Sequence, residues 1–231
     1  MPRQPLPRKH RKASYGIASL GMDNRPKMAS VIGQCLMHWP SIELQMALLL
    51  GVLLGATNEA AVAVYLSLRA GRVRNDAITA AANVVLSGKE LELFRAIIDF
   101  ERSVEAQRND LAHGCFGTMD ELPDCVLWME SQHVANFMLD FWNKIEHSTP
   151  TGPPIPTSQE ERDKIYEQNI SRMFIYREKD IRELLSDILA LWRTLGSFIY
   201  FLRNSRPENI YNQLCNEPHV KTALLKTRGT I

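Results

Sequence analysis

An arginine, an asparagine and a histidine lie close together in the segment RSVEAQRNDLAHGCFG, from Arg102 to Gly117. Asn109 and His113 are four residues apart, so they lie on one stripe of a helix, with Arg108 about 100° to the side. A histidine transfers protons near neutral pH, and an arginine holds phosphate oxygens in a bidentate fork. The three residues are therefore a minimal set for phosphodiester chemistry.

The predicted end of this helix favours an accessible histidine. Gly114 follows His113 and is expected to end the helix, which leaves the imidazole in the last turn. The helix dipole at this end favours the imidazolium form. Glu105 lies four residues before Asn109 on the same stripe, and Glu105 and Asp110 are candidates for supporting residues of the site.

The segment RNDLAHG, from Arg108 to Gly114, resembles the motif of the HEPN superfamily (higher eukaryotes and prokaryotes nucleotide-binding). In its ribonuclease members an Arg, a following polar residue and a His form the motif, and Arg108, Asn109 and His113 match them one by one. The resemblance extends loosely over the helical stretch 41–146. It implies an all-α, HEPN-like helical bundle with a short β element, and the activity of a metal-independent endoribonuclease.

The resemblance also implies a homodimer in which two such motifs face one cleft. One histidine would take the proton of a ribose 2′-OH or protonate the leaving 5′-oxygen, and Asn109 would orient groups by hydrogen bonds. Arg108 and its symmetry mate would hold the charge of the pentacovalent phosphate. RNA is the expected substrate because the attack uses the 2′-OH, and neither a metal nor a cofactor is needed. Cleavage needs two proton-transfer groups, and a two-fold axis supplies the second.

The biological role implied by the resemblance is that of a toxin or an antiviral defence protein, with an antitoxin or another protein as a partner. This role follows from analogy with the family alone. The competing function is a catalytically inactive HEPN-like helical scaffold that binds a protein partner.

The site residues also have purely structural interpretations. Arg108 could form an ion pair with Glu105 or Glu101, and His113 could satisfy carbonyl groups at the helix end. Cys115 lies two residues from His113, but adjacency in sequence is not the arrangement of a Cys–His nucleophilic pair. Most aromatic residues have the spacing of core residues in helices or strands. Two others are kept as candidates for stacking on RNA bases: Phe116 and Tyr176.

Hydrophobic periodicity predicts the elements that position the motif. Four consecutive helices with short connections favour antiparallel neighbours and hence a bundle. A later helix has an apolar face too wide to be left in water, so we expect it to dock on the bundle or on a partner. The predicted elements are helices from about Ser41, over Asn58–Gly71, Asn75–Ser87 and Lys89–Gly114, a strand over Cys125–Met129, a helix over 132–146, a strand over Met173–Tyr176 and the wide-faced helix over Lys179–Arg203.

The expected organisation is one helical domain between two polar ends. Residues 1–27 contain four Pro and few apolar residues, which predicts a disordered basic arm. The helical domain covers 28–205, with a Pro-rich loop over 148–158, and a polar tail follows over 206–231. Four basic residues of the arm are candidates for contacts with RNA phosphates: Arg8, Lys9, Arg11 and Lys12.

The composition excludes several classes of protein. With 27 Lys+Arg against 26 Asp+Glu, the chain lacks the overall basic character of a sequence-independent nucleic-acid binder. The four Cys are far apart, which supports neither a zinc site nor a disulfide framework and favours a reducing compartment. The longest apolar run, Met46–Ala56, is shorter than the about 20 residues of a membrane helix. We therefore expect a cytoplasmic protein with no membrane association.

Overall fold

The computed structural model describes residues 3–10, 15–17, 19–146, 167, 170–227 and 229. This part of the chain is mostly helical, with eight α-helices and one five-stranded antiparallel sheet. The prediction of a largely helical fold with a β element is therefore confirmed at this coarse level. The Pro-rich loop predicted over 148–158 lies outside the described residues.

The helices and strands are numbered in chain order. The helices are α1 Pro26–Leu54, α2 Asn58–Ser67, α3 Gly71–Val85, α4 Gly88–His113, α5 Ser131–Glu146, α6 Glu178–Arg203, α7 Glu208–Cys215 and α8 Pro218–Thr227. The strands are β1 Gln4–Pro5, β2 Tyr15–Ile17, β3 Gly114–Met119, β4 Cys125–Glu130 and β5 Phe174–Arg177, and short 3-10 helices cover Arg8–His10 and Ser19–Asn24.

Most of the predicted helices are present, and the differences lie at their ends. Gly71 was expected to end a helix, but α2 already ends at Ser67 and Gly71 is the first residue of α3. Helix α1 begins at Pro26. Proline suits the first position of a helix, because a backbone N–H there would have no intrahelical acceptor. It then continues through Pro40, which removes one backbone donor from the helix interior.

The two polar ends of the chain differ from the sequence-based expectation. The described residues of the segment 1–27 include two strands of the sheet instead of a disordered arm. Leu6 is only 2% exposed, and its amide donates to the carbonyl of Met173 at 3.2 Å. Partners that are distant in sequence bury these apolar side chains, which local composition does not reveal. The predicted tail, 206–231, likewise contains α7 and α8, which bury Leu214, Val220 and Leu224.

The sheet has the strand order β1-β5-β4-β3-β2, and all neighbouring strands are antiparallel. In the central pair, Gly114 lies opposite Glu130 and Phe116 lies opposite Trp128. Helix α4 ends at His113 and β3 begins at the next residue. The register of the sheet therefore fixes the position of the helix end that carries the motif.

The chain divides into two compact units where the sequence predicts one helical domain over 28–205. The sheet unit contains residues 1–36 and 107–184, and the helical unit contains residues 37–106 and 185–231. The core of the sheet unit is a cluster of buried side chains: Leu6, Met119, Cys125, Leu127, Met129, Ile170, Met173 and Ile175. The core of the helical unit includes Ile42, Met46, Leu93, Phe94, Ile97 and Phe198.

Among the described residues, two helices are long and apolar enough to cross a membrane, judged by length and composition only. These are α1 and α6, and 44% of the most apolar window of each is buried within the protein. Core helices of soluble proteins meet the same criteria, so the finding is a weak indication of membrane insertion. The expectation of no membrane association stays a prediction.

Candidate functional site

The motif occupies the last turns of α4, in the sheet unit. The guanidinium of Arg108 donates from Nη1 to Oδ1 of Asn109 at 2.9 Å, so the structure brings these two side chains together. Both residues are half-buried, whereas His113 is exposed at the last helical position. An oriented guanidinium and a solvent-accessible imidazole are thus present on one helix end, as the sequence predicts.

Other side chains satisfy the backbone at this helix end. Nε1 of Trp128 donates to the carbonyl of Asp110 at 2.8 Å, and the hydroxyl of Ser131 donates to the carbonyl of His113. The last carbonyls of a helix lack intrahelical partners and need donors of this kind. Trp128 and Ser131 therefore cap the carbonyls of Asp110 and His113.

Gly114 follows the motif because the Trp128 indole passes very close to its backbone. A Cβ atom built on Gly114 would lie 1.6 Å from Nε1 of Trp128, far inside any van der Waals contact. The same Nε1 makes the hydrogen bond to Asp110. A side chain at position 114 would thus displace the indole that supports the end of α4.

The carboxylate of Asp110 has a cationic partner that the sequence did not indicate. Nη1 of Arg3 lies 3.4 Å from Oδ1 of Asp110, and both side chains are about one-third exposed. The guanidinium of Arg3 also lies over the rings of Trp128 and Phe174, at 4.4 and 4.9 Å from their centroids. Arg3 belongs to a segment predicted to be disordered, so no sequence signal linked it to the motif.

Tyr176 lies beside this group but cannot stack on a base. It is 2% exposed, and its ring makes an edge contact with Trp128 at 6.4 Å between centroids. Its hydroxyl has no hydrogen-bond partner among the described residues. Burial raises the pKa of Tyr176, the charge of Asp110 raises it further, and that of Arg3 lowers it. Phe116, the other candidate for stacking on an RNA base, is half-buried.

A second histidine lies at the start of α5, close to the strand that pairs with the motif's end. Nε2 of His133 is 3.4 Å from the carboxylate of Glu130, and Nδ1 is 3.4 Å from Nη1 of Arg172. Glu130 is the residue paired with Gly114 across the sheet. The pairing of β3 with β4 thus brings Glu130, and with it His133, close to the end of the motif, which the sequence pattern does not reveal.

Cys115, the cysteine next to the motif, has Ser131 as its polar neighbour. The thiol of Cys115 lies 3.8 Å from the hydroxyl of Ser131, in a contact that suits an S–H···O hydrogen bond. Cys115 is a half-buried free cysteine. The geometry therefore gives Cys115 a serine neighbour.

Glu105, the other candidate supporting residue, belongs to the helical unit. It lines a small cavity there with Arg74, Asn75 and Glu101. Glu101 is only 3% exposed and accepts a hydrogen bond from Nδ2 of Asn75 at 3.3 Å. Arg74 is 2.8 Å from Glu43. The carboxylate that one structural interpretation paired with Arg108, Glu101, thus has an amide partner in its own unit.

Burial raises the pKa of Glu101 to about 8, with a smaller contribution from the negative charge of Glu105. The folded state therefore retains a proton that the unfolded chain releases near pH 4.5, so stability falls as pH rises from 4.5 to 8. We expect Glu101→Gln to remove this loss and to stabilise the protein by on the order of 2–4 kcal/mol at pH 8. Thermal unfolding measured between pH 5 and about 8 checks this.

The matched control for this experiment is Glu59→Gln, at an exposed position of the same unit. It should leave the pH dependence of the melting temperature unchanged. A difference between Glu101→Gln and the wild type that stays constant across the pH range would contradict the prediction.

The basic residues proposed to contact RNA are only partly described. Arg8 and Lys9 are exposed in the 3-10 helix Arg8–His10, whereas Arg11 and Lys12 lie outside the described residues. Within the described part of the chain, no group of three His, Cys, Asp or Glu side chains could hold a metal ion.

No family model, no curated protein and no solved structure matches this chain. The class of protein defined by the structure is therefore a mostly helical protein with a small antiparallel sheet. A functional assignment depends on the residues at the end of α4 and on the resemblance of their motif.

Proposed function

We propose that this protein is a metal-independent endoribonuclease with an HEPN-type active site. The observation that carries the proposal is the exposed imidazole of His113 at the end of the helix that holds Arg108 against Asn109. Trp128 and Ser131 donate to the carbonyls of Asp110 and His113, so side chains other than the imidazole support these two carbonyls. An accessible proton-transfer group and an oriented guanidinium within the last turns of one helix suit phosphodiester cleavage.

The reaction is a transesterification within RNA. One imidazole takes the proton of the 2′-OH while the 2′-oxygen forms a bond to the adjacent phosphorus. The bond from phosphorus to the 5′-oxygen breaks, and a second, protonated group gives its proton to that oxygen. Arg108 stabilises the negative charge on the phosphorane, and Asn109 holds the guanidinium. The products carry a 2′,3′-cyclic phosphate and a 5′-hydroxyl.

A homodimer completes this mechanism. One motif provides one histidine, and a two-fold partner provides the second proton-transfer group at a shared cleft. Light scattering at micromolar concentration should therefore give the mass of a dimer, and a monomer under these conditions would contradict the composite cleft. The role in toxicity or antiviral defence is proposed by analogy alone.

We expect the purified protein to cleave single-stranded RNA in the presence of EDTA. Replacing the ribose at the cleaved position by 2′-deoxyribose should abolish cleavage there, because the nucleophile is missing. Mass spectrometry of the fragments should show cyclic phosphate ends. Cleavage that stops with EDTA, or products with 5′-phosphates, would contradict the mechanism. Inertness towards all RNAs would favour the alternative, an inactive helical scaffold that binds a protein partner.

A further inference from the structure

Asp110 places a negative charge next to the motif's histidine. It is three residues before His113, so the two side chains are neighbours on the surface of α4. Around the helix axis, His113 lies between Asn109 and Asp110, about 40° from the first and about 60° from the second. An unpaired carboxylate at this position would repel the phosphate of an RNA strand approaching the imidazole.

Arg3 is held where it cancels this charge. Its guanidinium is 3.4 Å from the carboxylate of Asp110 and lies over the rings of Trp128 and Phe174. The two rings and the buried Tyr176 form an apolar side to the ion pair. Water therefore screens this pair less than a pair on an open surface.

Arg3 directly precedes strand β1, which is anchored to the sheet. Gln4 pairs with Ile175 in the edge of the sheet, and the Gln4 side chain donates to Asp180 at 3.5 Å. Leu6 is buried in the core cluster of the sheet unit. Arg3 is thus delivered to the motif by backbone pairing and by core packing.

We propose that Arg3 is a positioning residue of the candidate active site, which neutralises Asp110 so that the RNA phosphate can bind beside His113. This inference rests on the proposed ribonuclease function. Arg3 acts through Asp110: it affects substrate binding because its guanidinium neutralises the Asp110 carboxylate. Strand β1 is accordingly a part of the active site as well as an edge of the sheet.

A double-mutant cycle over Arg3 and Asp110 tests this inference. Arg3→Ala should raise KM for a single-stranded RNA roughly tenfold, equivalent to about 1.4 kcal/mol, and should change kcat much less. Adding Asp110→Asn to Arg3→Ala should return KM to within about threefold of wild type, since the uncompensated charge is gone. Raising the salt concentration should reduce the defect of Arg3→Ala, because mobile ions screen Asp110.

The matched control is Arg182→Ala, which removes an arginine from another ion pair of the sheet unit, with Glu178, and should leave KM unchanged. If Arg3 only anchors β1, the double variant will be as defective as Arg3→Ala, and this result overturns the inference. An unchanged KM in Arg3→Ala also overturns it, while RNA cleavage by the wild type would leave the proposed function intact. If the wild type cleaves no RNA, the proposed function fails and this inference fails with it.

Discussion

Alanine at Arg108 or at His113 is expected to abolish RNA cleavage without lowering the melting temperature. Removing the imidazole removes a proton-transfer group that typically contributes about 10²–10⁴-fold to the rate. Removing the guanidinium takes away a stabilising charge, a loss of about 10²–10³-fold. His113 is exposed, so its truncation leaves the core intact and should shift the free energy of unfolding by about 0.5 kcal/mol at most.

The measurement is kcat/KM on a fluorescent single-stranded RNA, with circular dichroism melts of the same preparations. Two control variants match the charge or ring that is removed. Arg102→Ala removes an exposed arginine of the same helix, which is 3.9 Å from Asp99, and His38→Ala removes an exposed histidine of α1. Both controls should keep the activity of the wild type.

Two results would contradict the first prediction. Activity of His113→Ala within about threefold of the wild type would remove the proton-transfer role, because the expected loss is at least about a hundredfold. A clear loss of stability in Arg108→Ala, with no activity in the wild type to lose, would establish Arg108 as a structural residue. Arg108→Lys refines the test, since lysine keeps the charge but lacks the planar fork and should rescue little activity.

The second large effect is on stability: Gly114→Ala should cost about 3 kcal/mol of unfolding free energy. The new methyl group would overlap Nε1 of Trp128, because a Cβ atom at position 114 would lie 1.6 Å from it. The indole must move away, and its hydrogen bond to the carbonyl of Asp110 is lost with that movement. Urea unfolding followed by circular dichroism gives the free energy, and RNA cleavage should fall as well because the end of α4 loses its support.

Gly33→Ala is the matched control for this substitution. Gly33 lies inside α1, and a Cβ there meets no atom within 4 Å. In a helix interior the exchange should stabilise the protein by about 0.5–1 kcal/mol. A second variant tests the mechanism of the clash: Trp128→Phe shortens the ring and should make Gly114→Ala less costly than in the wild type. Equal stabilities of Gly114→Ala and Gly33→Ala would contradict the close contact.

The helices and the location of the motif could be predicted from the sequence. The apolar residues of α4 and α6 repeat with the helical period, which depends on near neighbours in the chain and is therefore visible locally. The end of α4 at His113 followed from the next residue, Gly114, although the glycine also serves another purpose. The wide apolar face predicted for α6 is buried in the structure at Ile188, Leu191 and Leu195.

Only the tertiary structure decided what surrounds the motif. Strand β1 pairs with β5 and strand β2 pairs with β3, and in both pairs the two partners come from distant segments of the chain. The ion pair between Arg3 and Asp110 likewise joins two residues that are far apart in the sequence. Local composition predicted disorder for the first of them, since the energy of burying a segment depends on partners that its own sequence does not contain. The sequence alone therefore determined the chemical groups of the candidate site, and long-range pairing determined which side chains contact and support them.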